Sequence, residues 1–115
     1  MASNPHGSDH WKAQRLTAIA LFPLSLWFLG SLLIYSPNDY TAIVTWLKSP
    51  LTATGMVLLI GLLLYHAQLG IQVVIEDYIH HPFLKVGLIY FLKGAAISLF
   101  VFACFCILKI HFHPL

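Results

Sequence analysis

Three long apolar runs, at 16–35, 51–75 and 86–108, organise this chain, and polar or helix-breaking residues gather between them. Each run reaches or exceeds the ~20 residues that a helix needs to cross the hydrocarbon core of a bilayer. Ser36-Pro37-Asn38-Asp39 ends the first run, Ser49-Pro50 opens the second, and His81-Pro82 separates the second from the third. Proline does this because it lacks an amide donor and biases the residue before it toward extended backbone. The pattern predicts an all-α integral membrane protein with three transmembrane helices, forming one membrane-anchor domain over residues 1–115. Pro23, inside the first run, is expected to kink that helix unless a neighbour satisfies the freed carbonyl.

Composition narrows the class further. Hydrophobic residues make up 59% of the chain and charged residues only 9%, so the three spans use nearly all of it and leave no room for a soluble catalytic domain. Any redox or hydrolytic chemistry therefore belongs to partner subunits. The net charge of +2 comes from dispersed basic residues, which argues against nucleic acid as a partner. Residues 1–11 are polar and lack a basic leader and a small-residue cleavage site, so the first run is expected to stay as an anchor. Cys104 and Cys106 point about 200° apart on a helix and read as packing residues rather than a disulfide or metal clamp. Lys12, Arg15, Lys85 and Lys93 on one side of the membrane outnumber Lys48 and Lys109 on the other. By that bias the N-terminus and the turn at 76–85 are expected to be cytoplasmic, with 36–50 and 109–115 outside.

Against this background His66 stands out, because an ionisable side chain at membrane depth is costly. Gly55, His66 and Asp77 recur every eleven residues, and such positions differ by only about 20° around a helix. Gly70, one turn beyond His66, leaves the surface beside the imidazole bare, so that a flat, bulky group could approach there. The imidazole lies about 16 Å along the axis from Asp77, deep in the bilayer, while the carboxylate lies at its edge. Two readings of His66 stay open here: a neutral axial ligand for haem iron, or a histidine hydrogen-bonded to another helix. Spans one and three contain no histidine, so a six-coordinate haem would need its second ligand from another chain.

The pair Asp77-Tyr78 also admits two readings. Tyrosine is a common interfacial anchor, but a phenol can also hydrogen-bond a quinone carbonyl while an adjoining carboxylate orients it or relays protons. Glu76, His80 and His81 in the same turn read as solvated groups. Gln68 and Gln72 lie roughly opposite His66 and are expected to hydrogen-bond across a helix interface. Arg15 opens the first span, where it serves either as a topology signal or as a bidentate partner for a carboxylate or propionate.

These residues resemble the membrane-anchor subunits of succinate dehydrogenase, or respiratory complex II. His10-Trp11 followed by Gln14-Arg15-Leu16-Thr17-Ala18-Ile19-Ala20 is similar to the family's N-terminal motif. His66, ten intervening residues and Asp77-Tyr78 are similar to its second-span motif. The resemblance implies that His66 is one axial ligand of haem b, the other coming from a cytochrome b-type membrane subunit. It implies that Tyr78 hydrogen-bonds ubiquinone with support from Asp77, and that Arg15 lies near the haem propionates or the quinone pocket. It further implies iron–sulfur and flavoprotein partner subunits at a bacterial inner membrane, and no dehydrogenase site in this chain. A quinol–fumarate reductase anchor, or a structural membrane protein without cofactors, are the alternatives. A transporter fits poorly, because the spans carry neither repeated half-helices nor a line of charges.

Overall fold

Pro50 and Pro82 each stand in the first turn of a long apolar helix, where the missing amide costs nothing. In the computed structural model, which describes residues 5–35 and 38–113, the chain folds into α1 (Pro5–Ile34), α2 (Tyr40–Lys48), α3 (Pro50–Tyr78) and α4 (Pro82–Phe112). Three of these are long and apolar enough to span a membrane: Ser8–Ile34 within α1, then α3 and α4. The N-terminal half of the first stop signal, Ser36-Pro37, lies outside the described residues, as do residues 1–4 and 114–115. Helix α1 runs unbroken through Pro23.

The order in space is set by α3. Helices α1 and α4 both pack on it, α2 packs on α3 and α4, and among the described residues α1 and α4 share no close backbone approach. Both long neighbours run antiparallel to α3, and a glycine of α3 receives an aromatic ring from each. A Cβ at Gly55 would stand 2.8 Å from Trp27 Cη2 of α1, and one at Gly61 would stand 3.0 Å from Phe100 Cε2 of α4. Small residues allow such close approach where lipid provides no hydrophobic drive for helices to associate.

The buried residues mix apolar side chains such as Leu21, Leu59 and Leu69 with polar ones. Among the described residues Thr17, Ser31, Thr52, Gln68 and Gln72 are buried, while Leu33, Phe91, Phe102 and many other large apolar side chains are exposed. Apolar groups lose nothing by facing lipid, and polar groups there must find partners inside. Only 6% of the residues in the apolar window of α4 are buried, against 22% in that of α3, so most α4 residues keep some surface open to lipid or to another subunit.

The short helix α2, absent from the hydropathy pattern, closes one end of the bundle. The Asp39 carboxylate caps it, accepting hydrogen bonds from the Thr41 and Ala42 amides at 3.1 and 3.4 Å. Its buried Trp46 sits among Trp27, Phe28 and Tyr35, with ring centroids 5.9, 6.5 and 6.1 Å away. Lys48 hydrogen-bonds the His113 carbonyl, and His111 Nδ1 lies 3.3 Å from the Leu47 carbonyl. The C-terminal end of α4 is thereby pinned to α2. The start of α1, the end of α3 and the start of α4 form the opposite end.

Candidate functional site

His66 and Thr17 meet where α1 crosses the middle of α3. Thr17 Oγ1 lies 2.9 Å from His66 Nδ1, and 2.8 and 3.0 Å from the Ala13 and Gln14 carbonyl oxygens of its own helix. Thr17 is buried and His66 half-buried. A threonine within a helix back-bonds to the carbonyls three and four residues earlier, so the hydroxyl is fixed before the imidazole reaches it.

Helix α1 lies along the face that carries Gly55, His66 and Gly70. Trp27 fills the space at Gly55, and Gln14 Nε2 would lie 3.5 Å from a Cβ at Gly70. Helical periodicity groups these positions on one face, which α1 fills at Gly55 and borders with an open cavity at Gly70. The amide oxygen of Gln14 is buried and has no hydrogen-bond partner among the described residues. It borders a cavity of about 430 Å³ between α1 and α3, lined by His10, Trp11, Gln14, Leu69, Gly70, Val73 and Glu76.

Asp77 and Tyr78 close α3 at this same end. Both are exposed, Tyr78 by 75%, because Tyr78 is the last helical residue before the Ile79 cap. Arg15 is exposed on α1, its guanidinium 4.8 Å over the Trp11 ring, which is cation–π distance. Asp77 and Tyr78 thus stand at one end of α3, whereas Arg15, next to Gln14 at Gly70 and two residues from Thr17 at His66, lies near the level of the imidazole. No hydrogen bond joins any two of Arg15, His66, Asp77 and Tyr78 among the described residues.

One neighbouring expectation changes. Gln68 and Gln72 do face away from His66, toward α4, but they bond along α3 rather than across the interface. Gln68 Nε2 donates to Gln72 Oε1 at 2.6 Å, and Gln72 Nε2 donates to Glu76 Oε1 at 3.0 Å. The four-residue spacing makes these side chains neighbours on the helix surface. Glu76 is exposed, as expected of a solvated group, and it also ends this amide ladder. His81 caps α4, its Nδ1 accepting from the Leu84 amide at 3.3 Å. Thr17 and Gln14 were missed as site residues, although both fall in the N-terminal motif and Thr17 is a hydroxyl within an apolar run.

Among the described residues no three His, Cys, Asp or Glu side chains converge on a metal position. A porphyrin supplies four equatorial nitrogens and asks the protein only for axial donors. One half-buried imidazole with one nitrogen tied to Thr17 fits a single such position.

The sequence profile of succinate dehydrogenase/fumarate reductase transmembrane subunits matches residues 1–108. The chain is 42% identical over 72% of its length to the succinate dehydrogenase hydrophobic membrane anchor subunit of Rickettsia conorii, covering 67% of that protein. The subunit of the same description from Rickettsia bellii is 47% identical over 64% of this chain and 58% of its own length. That of Rickettsia typhi is 33% identical over 95% of this chain and 79% of its own. No solved structure matches the chain significantly. With three membrane-spanning helices and a match over nearly all of its length, the chain belongs to the succinate dehydrogenase/fumarate reductase transmembrane subunit family.

Proposed function

We propose that this chain is the small anchor of a succinate–ubiquinone reductase in a bacterial inner membrane. It docks the flavoprotein and iron–sulfur subunits at the end carrying Asp77 and Tyr78, and shares haem b and a ubiquinone site with a cytochrome b-type membrane subunit. That end faces the cytoplasm, in line with the bias of Lys12, Arg15, Lys85 and Lys93 toward that side of the membrane. The Rickettsia relatives, described as succinate dehydrogenase anchors, favour succinate oxidation over the opposite direction.

The observation that carries this reading is the exposed Asp77-Tyr78 pair at the end of the helix that holds His66. A phenol left 75% exposed by its own chain is available to a ligand or partner at the membrane edge. His66 would hold the haem iron through Nε2, and Arg15 reaches toward the propionates or the quinone. A bound haem b supplies a one-electron centre at the depth of His66. Tyr78 donates its hydroxyl hydrogen to a ubiquinone carbonyl oxygen, polarising the group that must gain a proton on reduction. Asp77, at the water boundary, orients that phenol and passes protons inward. Two electrons from succinate and two protons convert the quinone to quinol.

The test is succinate-dependent ubiquinone reduction by the complex that co-purifies with the tagged chain in mild detergent. Activity abolished by a quinone-site inhibitor supports the reading. An intact complex without that activity contradicts it.

A further inference from the structure

The hydroxyl of Thr17 has one hydrogen and three neighbours that could receive it: the Ala13 carbonyl at 2.8 Å, the Gln14 carbonyl at 3.0 Å and His66 Nδ1 at 2.9 Å. A hydroxyl is one donor and an acceptor through its lone pairs. Were the hydrogen given to Nδ1, the threonine oxygen would face two carbonyl oxygens within 3.0 Å with no hydrogen between them, a repulsive arrangement in a medium where electrostatic terms are strong. With the hydrogen shared by the two carbonyls, the oxygen accepts from Nδ1–H and all three contacts are favourable.

From this geometry we infer that Thr17 is a positioning residue for His66: it fixes the Nδ1–H tautomer and the ring orientation, leaving the Nε2 lone pair as the iron ligand. The inference rests on the haem reading and adds a second residue to it. A coordinated histidine whose other nitrogen donates a hydrogen bond is held in one orientation and made more basic. Burial of Thr17, 6% exposed, keeps water from replacing the acceptor. Because the contact joins α1 to α3, the packing of these helices and the state of the ligand are linked.

The test compares wild type, Thr17→Val, Thr17→Ser and His66→Leu in the assembled complex. Thr17→Val keeps the side chain's shape and removes the acceptor. It is expected to weaken haem retention ~10-fold or more, in line with other outer-shell partners of metal-bound histidine. It is also expected to shift the haem midpoint potential upward, because a less electron-rich imidazole stabilises the ferric state less. Thr17→Ser restores both. Unchanged retention and potential in Thr17→Val overturn the inference, as does a downward shift. If His66→Leu retains a six-coordinate haem, the haem reading itself fails; if it loses the haem while Thr17→Val behaves as wild type, only the role of Thr17 fails. Should Thr17→Val not assemble, electron–nuclear double resonance on the ¹⁵N-histidine-labelled wild-type complex decides. A proton on Nδ1 of the coordinated imidazole supports the inference, and iron bound through Nδ1 overturns it.

Discussion

Trp27 of α1 occupies the place of the side chain that Gly55 of α3 lacks: a Cβ at Gly55 would lie 2.8 Å from Cη2 of the indole and 3.0 Å from Cζ3. The same indole lies 5.9 Å, centroid to centroid, from Trp46 of α2. One ring thus joins three helices at the end of the bundle away from Tyr78. Gly55→Leu is expected to force Trp27 out and destabilise the α1–α3 contact by ~1–3 kcal/mol, the usual cost of overpacking. Thermal dissociation of the complex in detergent would show this as earlier release of the chain, and an unchanged profile would contradict the packing account.

The ladder Gln68–Gln72–Glu76 predicts non-additivity. Gln72→Leu strands the buried Gln68 amide donor, a loss of ~1–3 kcal/mol by the cost of an unsatisfied buried group, tempered by the smaller values found between membrane helices. Replacing both glutamines by leucine removes donor and acceptor together and is expected to cost less than Gln72→Leu alone. Unfolding of the four members of this cycle in mixed micelles gives the coupling directly. A double variant as unstable as the sum of the singles would contradict a working ladder.

Tyr78→Phe removes a hydroxyl from an exposed side chain and leaves the packing intact. The complex is expected to assemble normally and to reduce a water-soluble dye with succinate at the wild-type rate. Ubiquinone reduction is expected to slow about 2- to 13-fold, the worth of one neutral hydrogen bond at ~0.5–1.5 kcal/mol. Equal loss in the dye and quinone assays would point to a structural role instead.

Asp39→Ala serves as a control at the far end of the bundle. Loss of the cap on a nine-residue helix costs ~1 kcal/mol, and so short a helix has little stability of its own. Faster hydrogen exchange is expected at Thr41 and Ala42, the two amides bonded to Asp39, with quinone reduction unaffected. Slower quinone reduction with unchanged exchange would contradict the separation of the two ends.

The three spans were legible from hydropathy, yet the helices run past them on both sides: α3 continues from 75 to Tyr78 and α4 begins at Pro82 rather than 86. Apolar runs mark only the part immersed in lipid, whereas the hydrogen-bonded backbone carries on through the interface. Helix α2 escaped because it is short and lies between two stop signals; Asp39 followed by Ile43, Trp46 and Leu47 was the cue that could have found it. Periodicity placed Gly55, His66 and Asp77 on one face, but which helix covers a face is a tertiary fact. For that reason Thr17 and Gln14 surfaced only with the fold. The glutamine pair shows the same limit: a four-residue spacing allows bonds along a helix as readily as across an interface.

The most direct measurement is the haem content and low-spin optical spectrum of the complex co-purified with the wild-type chain and with His66→Leu. The account predicts one six-coordinate haem b per complex in the wild type and its loss or conversion to a five-coordinate form in His66→Leu. An unchanged six-coordinate spectrum in the variant would contradict the assignment of His66 as the axial ligand from this chain.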